Sequence, residues 1–387
     1  MKITKKYLYS GLFMLASLSL SAQSGTMVTA VPSLSIAPDA RGGALGDVGA
    51  ATLPDFYSQY WNPAKHAFLS SKAGATVSYT PWLRKIVQDI ALVYASGFYK
   101  FGYEDNQAVS ASIRYFSIGD IPEVDVEGQF MSTVSPYEMA FDIGYSRKLT
   151  ETFAGGVTLR YIRTDYSTSS DESTSAGNAF AADVAGYNES YVNIGNVESI
   201  LGLGFNISNI GTKISMNEGV TDYFLPTNLR LGASLTYPLD EYNTLAFSAD
   251  LNKLLVPSRP VRDIDNDESE EDYNKRLDKV RNTNSISGIF KSFGDSPDGF
   301  KGELQEINWS AGVEYSYNDQ FMLRGGYFNE NRRQGNRKFF SFGAGFKMSA
   351  FQLDAAYLVS TADSNPLDQT LRFSLGFNME GLRNLFK

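Results

Sequence analysis

From about Ala73 onward, large apolar side chains occupy alternate positions, and this period of two constrains the fold more than any other feature of the chain. Tyr137, Met139, Phe141, Ile143 and Tyr145 alternate with Glu138, Ala140, Asp142, Gly144 and Ser146. Successive Cβ atoms of a strand point to opposite faces, so such a segment has one bulky apolar face and one small or charged face. The pattern returns around Val109, Val157, Leu201, Leu229, Leu245, Ile307, Phe340 and Leu371. The complementary face carries Arg114, Glu138, Asp142, Arg160, Asp183, Arg230, Asp250, Glu314, Arg324, Asp354 and Arg372, acids and bases in near balance. Half-exposed sheets of a soluble sandwich also alternate, but a dry inner face could not hold these charges. With the apolar face toward lipid, they line a polar lumen, as in a transmembrane barrel.

The N-terminus supports export. Lys2, Lys5 and Lys6 precede an apolar run from Leu8 to Leu20 and the small residues Ser21 and Ala22, the layout of a signal peptide cut after Ala22. Beyond Ala22 no stretch approaches the ~18–20 apolar residues of a spanning helix. A barrel is the other structure that satisfies its backbone within lipid. Connection lengths agree with it. Brief turns near 104–106, 148–152, 238–243, 318–320 and 349–350 alternate with longer links near 81–88, 119–136, 164–177, 209–227, 257–305, 329–338 and 361–368. Outer-membrane barrels show this asymmetry between their two ends, with an even strand number and aromatic girdles. The expectation is a fourteen-stranded antiparallel barrel over 73–378, with a short tail at 379–387.

Residues 23–72 lack alternation and scatter Gly42, Gly43, Gly46 and Gly49 among alanines. Phosphate-cradling loops also use glycine, but no strand-to-helix unit surrounds these. Small residues let a compact segment approach a wall closely, so this segment is read as a plug inside the barrel. The wall charges listed above, together with Arg41 and Asn62, are read as the network that fixes the plug.

The inventory of chemistry is thin. There is no cysteine and only one histidine, which removes thiolate and multi-histidine metal sites and cysteine nucleophiles. His66 has no recognisable nucleophile motif beside it and is read as structural. No catalytic residues, metal or cofactor are expected. A formal net charge of −9 argues against nucleic acid. Asp263, Asp265 and Asp267 imitate the start of a calcium loop, but Glu268 stands where the turn glycine belongs and Asn274 where the bidentate glutamate belongs. With Glu268, Glu270, Glu271 and Asp272, they are read as solvated charge, Glu271–Lys275 and Asp272–Arg276 being spaced for pairing on a short helix. The longest link, 257–305, holds Phe290, Phe293 and Phe300 in a glycine-rich setting, a candidate partner-binding patch with Tyr223, Phe224 and Phe328 as secondary members. Rings folded back over the barrel mouth are the competing reading.

Several motifs carry a resemblance. The run from Asp39 to Ala50, with Tyr60-Trp61-Asn62-Pro63-Ala64, resembles the N-terminal signature of the FadL-like outer-membrane transporter superfamily, whose members are fourteen-stranded barrels with an N-terminal plug. Asn209-Ile210-Gly211-Thr212, Leu225-Pro226-Thr227-Asn228, Asp250-Leu251-Asn252-Lys253 and Ser292-Phe293-Gly294-Asp295 resemble, more closely, the PorV family of that superfamily. The resemblance implies a Bacteroidetes outer-membrane subunit of the type IX secretion system, in contact with lipid and lipopolysaccharide. Such a subunit would receive cargo bearing the C-terminal signal domain from the translocon and carry it to the attachment complex containing the PorU sortase. Transport of hydrophobic small molecules such as fatty acids, as in the wider superfamily, is the alternative.

Overall fold

The structure, a computed structural model, describes residues 28–385 except 84–86, 88, 126, 168–174, 217–221, 263–266 and 363–367. The export signal therefore lies outside the described residues, as do the first plug residues 23–27 and, of the acidic run, Asp263 and Asp265.

The chain enters the wall at β1 (Ala73–Pro81) and continues through β2 (Ala91–Phe101) and β3 (Gln107–Ser117). A small hairpin, β4 (Ile121–Val124) and β5 (Phe130–Val134), stands outside the wall. The wall resumes with β6 (Tyr137–Lys148), β7 (Phe153–Asp165), β8 (Gly177–Ile194) and β9 (Val197–Gly211). After a second small hairpin, β10 (Ile214–Ser215) and β11 (Asp222–Tyr223), come β12 (Asn228–Pro238) and β13 (Asn243–Leu254). The last strands are β14 (Ile307–Tyr317), β15 (Phe321–Asn329), β16 (Lys338–Lys347), β17 (Phe351–Ser360) and β18 (Leu371–Asn378). Each wall strand pairs antiparallel with its neighbours, and β18 returns to β1, closing a barrel of fourteen strands. Closure leaves no edge with unpaired backbone groups, which is what lipid demands.

The alternation maps onto the two faces of the wall. Phe141, Ile143, Val157, Leu159, Phe247, Leu323, Phe342 and Phe373 are exposed on the outside. Glu138, Asp142, Arg160, Asp250, Arg324, Asp354 and Arg372 are buried on the inside. The register places opposite charges side by side: Asp142 is the partner position of Arg160, and Glu314 that of Arg324. Connections are short at one end, the tightest being Gly195–Asn196 between β8 and β9, a turn the sequence reading passes over. The other end carries the long links, as the bilayer asymmetry of such barrels requires.

Residues from 28 to 72 form no wall strand. They are built of short helical turns at Pro32–Ser35, Ala40–Ala44, Ser58–Trp61 and Pro63–Phe68. Asp39 caps the second turn, accepting a 2.7 Å hydrogen bond from the Gly42 amide. None is long enough to be stable alone, and the wall holds them. The link after β13 also folds, into helices at Glu270–Arg281, Ser285–Lys291 and Gly299–Gln305. In the first of these Lys275 reaches Glu271 at 2.8 Å, as the spacing suggests, whereas Arg276 turns back to Glu268 at 2.6 Å rather than to Asp272.

Candidate functional site

The plug fills the lumen because both surfaces are made of small residues where they meet. Trp61 is buried between Gly42 and Gly49, where an added Cβ would lie 2.3 and 2.2 Å from its ring. The indole Nε1 donates to Asp39 at 2.5 Å. At Gly46, φ is +80° and the backbone runs against that of Tyr327, so only glycine serves both the turn and the approach.

Polar wall residues then satisfy the backbone of the plug. The Asp250 carboxylate accepts from the amides of Gly49 (2.8 Å) and Ala50 (3.0 Å). Glu138 accepts from the Ser33 amide at 3.0 Å, and Arg114 donates to the carbonyls of Ser33 (2.5 Å) and Ile36 (3.0 Å). Asn62 donates to the carbonyls of Ala50 and Gly186, both at 2.9 Å, linking plug to β8. A backbone that makes so few hydrogen bonds to itself needs such partners once buried.

Two ion-pair systems run through the lumen. On one side, Arg160 of β7 lies between Asp142 (2.7 Å) and Asp183 (2.9 Å), a pairing confined to the wall. On the other, plug and wall share the charges. Arg41 joins Asp55 of the plug (2.5 Å) to Glu314 of the wall (2.9 Å), and Arg324 continues from Glu314 (2.5 Å) to Asp354 (2.6 Å). Tyr57 closes the chain, donating to Asp354 at 2.9 Å. Arg372 holds Asp47 of the plug at 2.5 Å. Desolvating so many charges is costly, and each is stable here because its partners are fixed. Most of the residues singled out in the sequence thus meet in one lumen. Of the plug partners, Asp55 and Tyr57 are not singled out by the sequence, and Asp39, Asp47 and Trp61 enter only through the motifs that carry the resemblance, not as members of the network. Asp39 carries a local signal as well, as an N-cap ahead of a glycine-rich turn.

Arg230 departs from this pattern. Its guanidinium lies over the rings of Trp61 (4.7 Å) and Tyr60 (5.3 Å), and Nε donates to Asn252 at 2.9 Å, but among the described residues it forms no ion pair. It faces a cavity of about 410 Å³ above the plug, at the long-loop end, bounded also by Leu34, Trp82, Leu254 and Phe328.

The aromatic candidates divide. Phe290 and Phe300 are 75% and 79% exposed on the second and third helices of the longest link, and Phe293, in the turn between them, is 52% exposed. That link is tied to β13 by Lys253, which pairs with Glu303 (2.8 Å) and Glu306 (2.5 Å). Phe224 and Phe328 are only 4% and 7% exposed and do not belong to an outer contact patch, although Phe328 bounds the mouth cavity. Phe224 packs with Val256 and Leu277 beneath the loop helices, and Phe328 stacks on Phe339 at 5.1 Å in the barrel mouth. Tyr223 is half-buried and packs against the apolar cluster of Val31 and Leu34. Rings near the mouth are recruited to roof it, and only those on the outer helices stay free. His66 is buried and stacks on Phe98 at 5.1 Å, and its Nδ1 has no hydrogen-bond partner among the described residues.

Comparison with known proteins follows the same lines. The family model described as Type IX secretion system protein PorV matches residues 19–261. No curated protein sequence matches the chain. Among solved structures, a TodX deltaS2S3 mutant described as a monoaromatic hydrocarbon channel is 12% identical with a TM-score of 0.51, covering 88% of this chain and 99% of that one. The Pseudomonas putida toluene transporter TodX is 11% identical with a TM-score of 0.47, covering 87% and 96%. A Pseudomonas aeruginosa FadL homologue is 13% identical with a TM-score of 0.45, covering 92% and 99%. At such identities the TodX deltaS2S3 likeness is one of fold.

Proposed function

The chain belongs to the family of the type IX secretion system protein PorV, an outer-membrane family, and from that premise we propose that it is a cargo-binding shuttle rather than a channel or an enzyme. It receives secreted proteins bearing the C-terminal signal domain as they leave the translocon and delivers them to the surface attachment complex that contains the PorU sortase. The observation that carries this reading is the division of labour between the two ends of the lumen. Below, the plug is bonded to the wall through Arg41–Glu314 and Arg372–Asp47, an arrangement suited to staying in place. Above, Phe290, Phe293 and Phe300 stand exposed on an anchored loop, where rigid aromatic anchors commonly dominate protein interfaces.

The cavity at the mouth gives a second reading its footing, the uptake of hydrophobic small molecules. Deleting the gene separates the two. The shuttle reading expects signal-bearing proteins to vanish from the cell surface while fatty-acid uptake is unchanged. Normal surface display with impaired uptake would replace it with the transport reading. Affinity isolation of the protein from membranes should recover translocon, cargo and sortase components.

A further inference from the structure

Among the groups that line the mouth cavity, Asp47, Glu306 and Glu330 are carboxylates, and each already holds a cation. Asp47 pairs with Arg372 (2.5 Å), Glu306 with Lys253 (2.5 Å) and Glu330 with Arg337 (2.7 Å). Arg230 is the lining cation left over. Its nearest acid on the adjacent strand, Asp250, turns Oδ2 to the amides of Gly49 and Ala50; the two charges attract each other across the wall, but no ion pair or hydrogen bond joins them. The Arg230 side chain is nevertheless fixed, by Nε on Asn252 and by the rings of Trp61 and Tyr60 against its face. Its two terminal nitrogens have no hydrogen-bond partner among the described residues. Behind it a recess of about 10 Å³, room for roughly one water, reaches Arg114, whose Nη2 is buried with no partner. Asp142 lines the same recess but is held by Arg160, so Arg230 at the cavity and Arg114 behind it are two arginines that form no ion pair with any described residue.

A preorganised guanidinium fork matches a carboxylate with two parallel hydrogen bonds. The rest of the lining says what the carboxylate should be attached to. Ser208, Asn209, Asn228, Asn252 and Asn308 face the cavity beside its apolar members. Asn308 Oδ1 is buried without a donor, although its Nδ2 donates to Glu330 at 3.3 Å. An alkyl chain would leave this acceptor unpaired, at a cost, whereas a peptide backbone brings N–H groups to it. The volume suits the end of a chain rather than a folded domain.

We propose that the cavity is a receptor for the C-terminal carboxylate of a polypeptide, with Arg230 binding the carboxylate and the free Oδ1 of Asn308 accepting from one of the last peptide N–H groups. This rests on the shuttle reading and makes it more specific. A client recognised by a signal at its C-terminus would be held by its free end in the cavity and by its body on the loop helices.

The test uses the purified full-length protein in detergent and a fluorescent peptide carrying about the last ten residues of a cargo protein that co-purifies with it. The peptide is made as free acid and as C-terminal amide. The free acid should bind roughly 10- to 100-fold more tightly than the amide, and Arg230→Gln should abolish that difference while Arg230→Lys restores part of it. Equal binding of acid and amide by the unmutated protein would overturn the proposal without any variant needing to fold. Palmitate binding that depends on Arg230, with no preference between the peptide forms, would overturn it in favour of a lipid carboxylate. Whole-cargo recovery distinguishes the two levels. If full-length cargo still co-purifies while acid and amide bind alike, only this site fails; if no cargo co-purifies at all, the shuttle reading fails with it.

Discussion

Arg41 of the plug and Glu314 of the wall, 273 positions apart, are joined by two parallel hydrogen bonds, Nε to Oε2 at 3.1 Å and Nη2 to Oε1 at 2.9 Å. Glu314 simultaneously holds Arg324 of the neighbouring strand at 2.5 Å, so one carboxylate couples the plug to the sheet register. Removing one partner strands the others in a buried site, an effect of about 3–5 kcal/mol. Arg41→Met and Glu314→Gln should therefore each loosen the plug while the barrel persists. The measurement is limited proteolysis of the folded barrel, where the plug should become cleavable and the wall should not. A plug as protected as in the unmutated protein would show that Arg41–Glu314 contributes little.

Gly46 offers a test of close approach that is separable from backbone strain. A Cβ there would lie 2.7 Å from the Tyr327 amide nitrogen, and φ is +80°. Gly128 has a similar φ of +84° with open space around its Cβ position. Gly46→Ala should thus lower the thermal midpoint by clearly more than Gly128→Ala, for which the left-handed backbone alone costs about 1 kcal/mol. Equal shifts would mean that the wall yields to the added methyl group.

The fold was legible because lipid and lumen impose opposite demands on alternate residues. Phe141 and Asp142 are neighbours in sequence and face different media, and no soluble core produces that contrast over so many strands. Which charges pair was not legible, since Arg372 finds Asp47 325 positions away. Nor was the fate of the aromatic residues. Phe224 and Phe293 look alike in sequence, but Phe224 lies beneath the loop helices that leave Phe293 outside. Arg230 was expected to pair like the other lumen arginines, and that it forms no ion pair with any described residue is a property of the assembled wall, invisible at the level of residue spacing.

Acid should weaken the plug through His66, which lies in the plug rather than in a strand that crosses the membrane. Burial pushes its pKa down from 6.5 to about 3, so the folded state binds the proton less readily than the unfolded one. The stability this represents is complete above pH 6.5 and is lost as pH falls toward 3, at about 1.4 kcal/mol per pH unit. Asp39 acts in the opposite sense. Burial, and next the nearby Asp55, raise it to about 6, and its contribution is lost as pH rises through that value. Comparing His66→Phe with the unmutated protein isolates the histidine, because the ring stack on Phe98 is retained. The variant should keep its plug protected at pH 5, where the unmutated protein begins to lose protection. Identical pH profiles would assign acid sensitivity to the carboxylates instead.

Phe290, Phe293 and Phe300 are exposed enough to be changed without touching the barrel. If they anchor cargo, replacing each by Ser removes a large apolar contact, for which losses of about 2 kcal/mol, or roughly 30-fold in affinity, are typical of interface anchors. The matched control is Phe224→Ser, where a side chain packed with Val256 and Leu277 leaves a cavity under the same loop, at about 3–5 kcal/mol of local stability. The two kinds of variant should therefore separate. The exposed set should weaken cargo capture with loop proteolysis unchanged, and Phe224→Ser should expose the loop to protease first. Undiminished cargo recovery by the triple variant Phe290→Ser/Phe293→Ser/Phe300→Ser would remove the outer helices from the binding surface and leave the mouth cavity to account for recognition.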